Sequence, residues 1–156
     1  MRLRDGREFQ VRLVGRTKGP DAAWLITDEK NLDLPFTYLA DNLPAKGEKI
    51  FHGGFGVHVP GNREEGTVVV PDNGDGQTQF RLSVSSGDSG GGICVTADGK
   101  VLSCVCCTTA KGQMADVWGA NINEIRKLRG QVSDVWPEWK PIDVPTKTIP
   151  LKMEEP

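Results

Sequence analysis

The 156-residue sequence lacks the features that mark a charged binding surface or a membrane span. Its formal charge is −2, from 19 Lys+Arg and 21 Asp+Glu, so no overall field draws it toward nucleic acid or an anionic bilayer. No run of about 18 apolar residues exists, so nothing reads as a transmembrane helix. The opening residues, Met1-Arg2-Leu3-Arg4-Asp5-Gly6-Arg7, hold neither an apolar signal-peptide stretch nor a linker. They enter a strand–turn–strand pattern at once, as a chain begun in the middle of a fold would, and they leave the compartment unread. Apolar residues make up 37%, a modest share, yet enough for a packed core and too many for a disordered chain. The four cysteines, Cys94, Cys104, Cys106 and Cys107, fall within 14 positions and form neither C-x-x-C pairs nor a Cys/His finger. That spacing speaks against structural zinc. Within a strand Cys104 and Cys106 would share one face and Cys107 the other. Small buried thiols lining a sheet are the expectation, and one disulfide is the rival.

What is present points to an all-β chain. Nineteen glycines and ten prolines punctuate short Val/Leu/Ile runs. Asp5-Gly6 signals a hairpin, followed by alternation over Phe9–Val14, and Ala22–Thr27 is a second apolar run. Residues 28–47, with Pro35, Pro44 and Gly47, read as a loop crossing between two sub-barrels. Lys49–Val59 is Gly-rich and apolar, and Thr67–Val70 and Gln79–Leu82 flank an Asp72-Asn73-Gly74-Asp75-Gly76 turn. That turn lacks the spacing and the bidentate glutamate of a calcium loop, since Ser83 stands where the glutamate is needed. Gly91–Val95 and Lys100–Thr108 form a hairpin about Asp98-Gly99. The single helix spans Asn121–Arg129, with Asn121 as cap, Glu124 three residues on, basic residues near its end and Gly130 as its stop. Beyond Val132 recurrent prolines and charges predict an extended or disordered tail, its first part pinned by Trp136 and Trp139.

The segment Ser86-Gly87-Asp88-Ser89-Gly90-Gly91-Gly92-Ile93 carries the chemistry. A serine hydroxyl attacks a carbonyl only when a base removes its proton and the resulting oxyanion is held. Glycines about Ser89 let the backbone aim the amides of Gly87 and Ser89 at one spot, and Asp88 can hold that turn by a buried ionic or hydrogen-bonded contact. A Gly-rich turn with an incidental serine is the plainer alternative.

Gly87-Asp88-Ser89-Gly90-Gly91 resembles the nucleophile signature of trypsin-like (chymotrypsin-fold) serine peptidases. Asp5-Gly6-Arg7-Glu8-Phe9, Leu13-Val14-Gly15 and Asp21-Ala22-Ala23-Trp24-Leu25 are similar to the bacterial high-temperature-requirement (Deg-type) branch, whose triad aspartate stands six residues after a glycine in Asp-x-Ala-x-Leu. The terminal helix of that family is similar to Asn121–Leu128. The resemblance implies a trypsin-like double β-barrel over 1–130: a partial first barrel (1–30), a linker (31–47), a second barrel (48–118) and a helix (119–130), followed by a Pro-rich tail (131–156). It implies Ser89 as nucleophile, the Gly87 and Ser89 amides as oxyanion hole, and Asp21 as the group orienting the histidine. It also implies a specificity pocket floored by Ser83 and walled by Cys106, Cys107 and Thr108, with a preference for small or medium apolar side chains. A neutral floor offers no carboxylate to Arg or Lys, and Thr108 in place of glycine narrows the mouth.

One departure is decisive for activity. In that family the histidine base precedes the aspartate, whereas the two histidines here, His52 and His58, both follow Asp21. Both read as structural or surface histidines rather than a relocated base. A triad without its base keeps only the residual acceleration of the oxyanion hole and binding. Two readings follow. In one, the chain is the C-terminal part of a serine endopeptidase, partnered by a missing histidine-bearing N-terminal segment or complementary chain and acting on a polypeptide substrate. In the other it is a pseudopeptidase that grips extended peptides by strand addition. The incomplete first barrel predicts unpaired edges and exposed apolar surface. Neither a metal nor a cofactor is called for by this chemistry, and no nucleic-acid or membrane partner is expected.

Overall fold

The computed structural model describes residues 6–17, 19–27, 29, 36–54 and 62–130. The expectations for the Pro-rich tail, Trp136, Trp139, His58 and the start of the linker lie outside the described residues.

The first barrel is represented by a two-stranded ribbon, β1 (Arg12–Arg16) antiparallel to β2 (Ala23–Ile26), with an irregularity between Leu13 and Gly15. Thr17 closes it: its amide donates to the Ala22 carbonyl at 3.0 Å, and its hydroxyl oxygen accepts from the Ala22 amide at 3.2 Å. Leu13 and Leu25 stand opposite each other on one face and are 59% and 52% exposed. A two-stranded ribbon is marginal alone in water, and this one is held by docking. Ala22 packs with Ala120 and Leu128, with Trp24, Cys104 and Ile125 against them, and the Trp24 indole N–H donates to the Ile125 carbonyl at 3.0 Å.

The remaining strands are β3 (Lys49–Gly54), β4 (Asn62–Val70), β5 (Gln77–Ser83), β6 (Gly92–Val95), β7 (Val101–Cys104), β8 (Cys107–Thr108) and β9 (Met114–Ala120), followed by α1 (Ile122–Gly130). They form one antiparallel sheet in the order β7-β6-β3-β4-β5-β9-β8. Its two terminal strands are consecutive in the chain, separated only by Val105 and Cys106, so the sheet curls until its ends meet. Two bonds tie the meeting ends: Cys106 amide to Trp118 carbonyl at 2.9 Å, and Ser103 hydroxyl to Ala120 carbonyl at 2.8 Å. The predicted strand over Lys100–Thr108 is therefore broken, because its last residues leave β6 and pair with β9. Gly119 permits the approach, since a Cβ there would overlap the Cys104 carbonyl and the Ser103 hydroxyl.

Alternation along the strands sends Thr78, Phe80 and Leu82 of β5, and Ala115 and Val117 of β9, to the interior. There Phe80, Leu82 and Val117 join Ile50, Val68, Ile93, Leu102 and Ile122 in the main core. Each large aliphatic or aromatic side chain so buried contributes about 1.5–3 kcal/mol. Among the described residues the chain is thus all-β apart from α1, a curled seven-stranded sheet with a two-stranded ribbon docked beside it.

Three details differ from the sequence reading. Strand β9 continues to Ala120, past the bound of 118 drawn for the second barrel, while the helix follows from Ile122 behind its Asn121 cap as the sequence indicates. Asn121 caps α1, accepting the Glu124 amide at 3.0 Å, but the reciprocal half of the capping box is replaced. The Asn121 amide donates to Gly76, and Glu124 pairs with Lys127. Part of the linker is also ordered against the barrel: Tyr38–Ala40 runs parallel to β7, exchanging 2.7 and 2.8 Å bonds with Val101, and so covers that sheet edge.

Candidate active site

The turn between β5 and β6 is built by its own backbone. The Asp88 amide donates to the Ser85 carbonyl at 3.2 Å, and Asp88 Oδ2 accepts the Ser85 amide at 2.7 Å. The Gly91 amide donates to the Asp88 carbonyl at 2.9 Å. Gly87 and Gly90 adopt φ of +100° and +83°, values that side-chain-bearing residues rarely reach. The turn is then stapled to the segment between β7 and β8: Gly90 N–H to Val105 carbonyl at 2.8 Å, and Val105 N–H to Gly91 carbonyl at 2.9 Å. Asp88, Gly90 and Gly91 thus each have an acceptor for their amide. Among the described residues nothing accepts from the amides of Gly87 and Ser89, and both residues are exposed.

Asp21 lies two residues before β2, exposed, on an open cleft of about 830 Å³ lined also by Leu13, Arg16, Thr17 and Ala22. Its carbonyl accepts from the Cys104 thiol at 3.7 Å. Burial, aided by the Asp21 charge and by Cys106, raises the Cys104 thiol above its ordinary value. Cys107 is pushed up to about 11 by burial first, then by its hydrogen bond with Cys106 and the charges of Cys106 and Asp21. The Cys104–Thr108 segment therefore has three neighbours: Asp21 at one end, the Ser89 turn at Val105, and β9 opposite Cys107 and Thr108. Ser83 ends β5 opposite Met114, while Thr108 faces Val117, so β9 runs between the proposed pocket floor and wall. The Thr108 hydroxyl donates to the Ala110 carbonyl at 2.7 Å.

All four cysteines are free thiols, so the disulfide alternative does not describe this structure. Only Cys94 is fully buried, and burial, with a smaller push from Asp98, drives its thiol up to about 11. Cys104 and Cys106 are half-buried, and Cys107, in the terminal strand β8 of the sheet, is exposed. With protonation favoured at Cys94, Cys104 and Cys107, none of these three competes as a nucleophile near neutral pH. Among the described residues no group of three or more His, Cys, Asp or Glu side chains is arranged to hold a metal. The Asp72 and Asn73 side-chain oxygens accept amides of their own turn, at Gly74, Asp75 and Gln77.

The residue that sequence reasoning set aside is His52. It is buried in β3, with Nε2 at 3.4 Å from Asp88 Oδ1. No local signal marks this, since the meeting depends on β3 pairing with β6 forty residues later.

No protein-family model and no curated protein matches the chain. Solved structures do. The chain is similar to the serine endoprotease from Yersinia pestis, with a TM-score of 0.70 and 20% identity over 86% of this chain and 48% of that one. It is also similar to Rv3671c from M. tuberculosis H37Rv, solved as a serine-to-alanine mutant in an inactive form, with a TM-score of 0.60 and 19% identity over 83% of this chain and 67% of that one. The fold is that of the trypsin-like serine proteases. The chain spans about half the length of the first of these neighbours and two thirds of the second.

Proposed function

We propose that this chain is the C-terminal part of a serine endopeptidase that hydrolyses peptide bonds through an acyl-enzyme at Ser89. The observation that supports this most is the pair of amides at Gly87 and Ser89, on either side of Asp88, left without acceptors in a turn where the amides of Ser85, Asp88, Gly90 and Gly91 are bonded. In the mechanism, Ser89 Oγ attacks the scissile carbonyl while a histidine base takes its proton. The two amides bind the oxyanion, and the histidine then returns the proton to the leaving amine. Asp21 holds the base in the correct tautomer and stabilises its charged form. The base comes from polypeptide other than the described residues, seated over the cleft beside Asp21 and the exposed Leu13–Leu25 face. Ser83, Cys106, Cys107 and Thr108 shape a neutral pocket for small or medium apolar side chains, and a peptide library cut chiefly after Arg or Lys would contradict that assignment. Without the base, catalysis falls to the roughly 10³–10⁴-fold over water that an oxyanion hole and binding sustain.

A second reading, a non-catalytic module that binds extended peptides by strand addition, is favoured by one observation: neither histidine precedes Asp21. Fluorophosphonate labelling separates the two, with imidazole added in solution as a surrogate base. The endopeptidase reading expects labelling that maps to Ser89, speeds up with imidazole and vanishes in Ser89→Ala. Labelling no faster than in Ser89→Ala, with extended peptides still bound, would establish the module instead.

A further inference from the structure

Of the four thiols, two meet. Cys106 stands just before β8, which begins at Cys107, and the two side chains hydrogen-bond to each other through sulfur. Within a strand they would point to opposite faces, but Cys106 lies outside it. The other two thiols are engaged elsewhere: Cys94 is buried in β6, and Cys104 donates to the Asp21 carbonyl at 3.7 Å. Cys107 is exposed and Cys106 half-buried, so a reagent in solution reaches the pair. The backbone beneath it is fixed. The Cys106 amide donates to the Trp118 carbonyl at 2.9 Å, Cys107 and Thr108 pair with Trp118 and Val117, and the Val105 amide donates to the Gly91 carbonyl at 2.9 Å.

Such a pair can be joined directly or through a third atom. Consecutive residues hold their Cα atoms about 3.8 Å apart, short of the roughly 4.4–6.8 Å that a disulfide usually spans. Closing an S–S bond of about 2 Å would therefore strain the ring and twist the peptide between Cys106 and Cys107 away from the β8–β9 ladder. An atom set between the sulfurs enlarges the ring and leaves them near their hydrogen-bonded separation. Two sulfurs are too few for tetrahedral zinc, and no group of three or more His, Cys, Asp or Glu side chains stands ready for a metal among the described residues. A trivalent arsenic that already carries one organic group needs two sulfurs and no more. Burial, and then the bond to Cys106, hold the Cys107 thiol protonated, so a ligand that removes the protons itself suits the site.

We infer that Cys106 and Cys107 form a dithiol site that captures organic trivalent arsenicals of the arsenoxide class, bridged across both sulfurs rather than closed as a disulfide. The two S–H bonds and the arsenic–oxygen double bond break, two S–As bonds form, and the oxygen leaves with both protons as water. No electron is exchanged. The site goes beyond the endopeptidase reading, and only its consequence for catalysis rests on that reading. An occupant would lie on the wall of the neutral pocket, one residue from the Val105 bonds that hold the Ser89 turn.

The test is a titration of the folded full chain with phenylarsine oxide in excess monothiol, read by intact mass, free-thiol count and peptide mapping. The expected result is one arsenical per chain, bridging Cys106 and Cys107, resistant to the monothiol and released by dithiothreitol. Cys106→Ser and Cys107→Ser should each weaken capture roughly 10²-fold or more, the advantage of a tethered second ligand, while Cys94→Ala and Cys104→Ser leave it unchanged. Oxidised glutathione applied to the same folded chain should yield no Cys106–Cys107 disulfide. Capture that survives either serine variant, a bridge that maps to Cys94 or Cys104, or a Cys106–Cys107 disulfide that forms as readily as the bridge overturns the inference. Fluorophosphonate labelling of Ser89 with imidazole should slow once the arsenical is in place and recover with dithiothreitol. Capture with no labelling of any form leaves the dithiol site standing and removes the endopeptidase reading instead.

Discussion

Substituting Gly119 by alanine tests whether barrel closure holds the Ser89 turn. The added Cβ meets the Cys104 carbonyl and the Ser103 hydroxyl, so β7 and β9 must separate. Overpacking of this kind costs about 1–3 kcal/mol. Separation also strains the bond from Ser103 to Ala120, two residues with no exposed surface, and an unmet buried polar group adds about 1–3 kcal/mol. The expected loss is roughly 2–6 kcal/mol, a large part of the roughly 5–15 kcal/mol by which domains are stable. Urea unfolding followed by tryptophan fluorescence reads it as a fall in midpoint on the order of 1–3 M. Gly53→Ala is the control, because a Cβ there meets nothing within 4 Å, and it should stay within about 0.5 kcal/mol of the wild type. A Gly119→Ala chain as stable as Gly53→Ala would refute the closure argument. Because the Gly90 amide donates to Val105 and the Val105 amide to Gly91, the same variant should also weaken amide-exchange protection at Gly90 and Val105 if it remains folded.

Three further outcomes are expected. Asn121→Ala removes the acceptor for the Glu124 amide and should cost about 1 kcal/mol in urea unfolding. Trp24→Phe deletes the indole bond to Ile125, costing about 0.5–1.5 kcal/mol, and should raise hydrogen exchange in β1 and β2 ahead of the barrel. Burial raises the Cys94 thiol from the ordinary 9.0 to about 11, so between those values the folded chain holds a proton that the unfolded chain has released. Stability should therefore be intact below about pH 9 and fall as pH rises toward 11, by up to about 2–3 kcal/mol from this thiol, and Cys94→Ala should flatten that part of the profile.

The fold was legible wherever local chemistry decided it. Ala22–Thr27 gave β2, the Asp72–Gly76 turn joined β4 to β5, and Asn121 marked the helix start. Strand β9 was illegible because Ala115 and Gly119 at its inward positions blunt the alternation, and the absence of a side chain at Gly119 is demanded by Ser103 and Cys104 of another strand. The break between β7 and β8 was hidden for a related reason: Val101–Thr108 is a continuous β-former, and only the meeting of the sheet ends divides it. At the site, the Ser89 turn announced itself through its glycines. The position of His52 beneath Asp88 depends on β3–β6 register, and no short-range pattern reports that.

The stretch Cys104–Thr108 touches Asp21 at its start, the Ser89 turn at Val105 and β9 along its end. A single residue added or removed there would shift all three attachments at once, reversing which side chains face inward. Among homologous chains this stretch should therefore vary in letters but never in length, while alignment gaps gather at tips such as Asp72–Asp75, where the Asp72 and Asn73 side chains accept only from amides of their own turn.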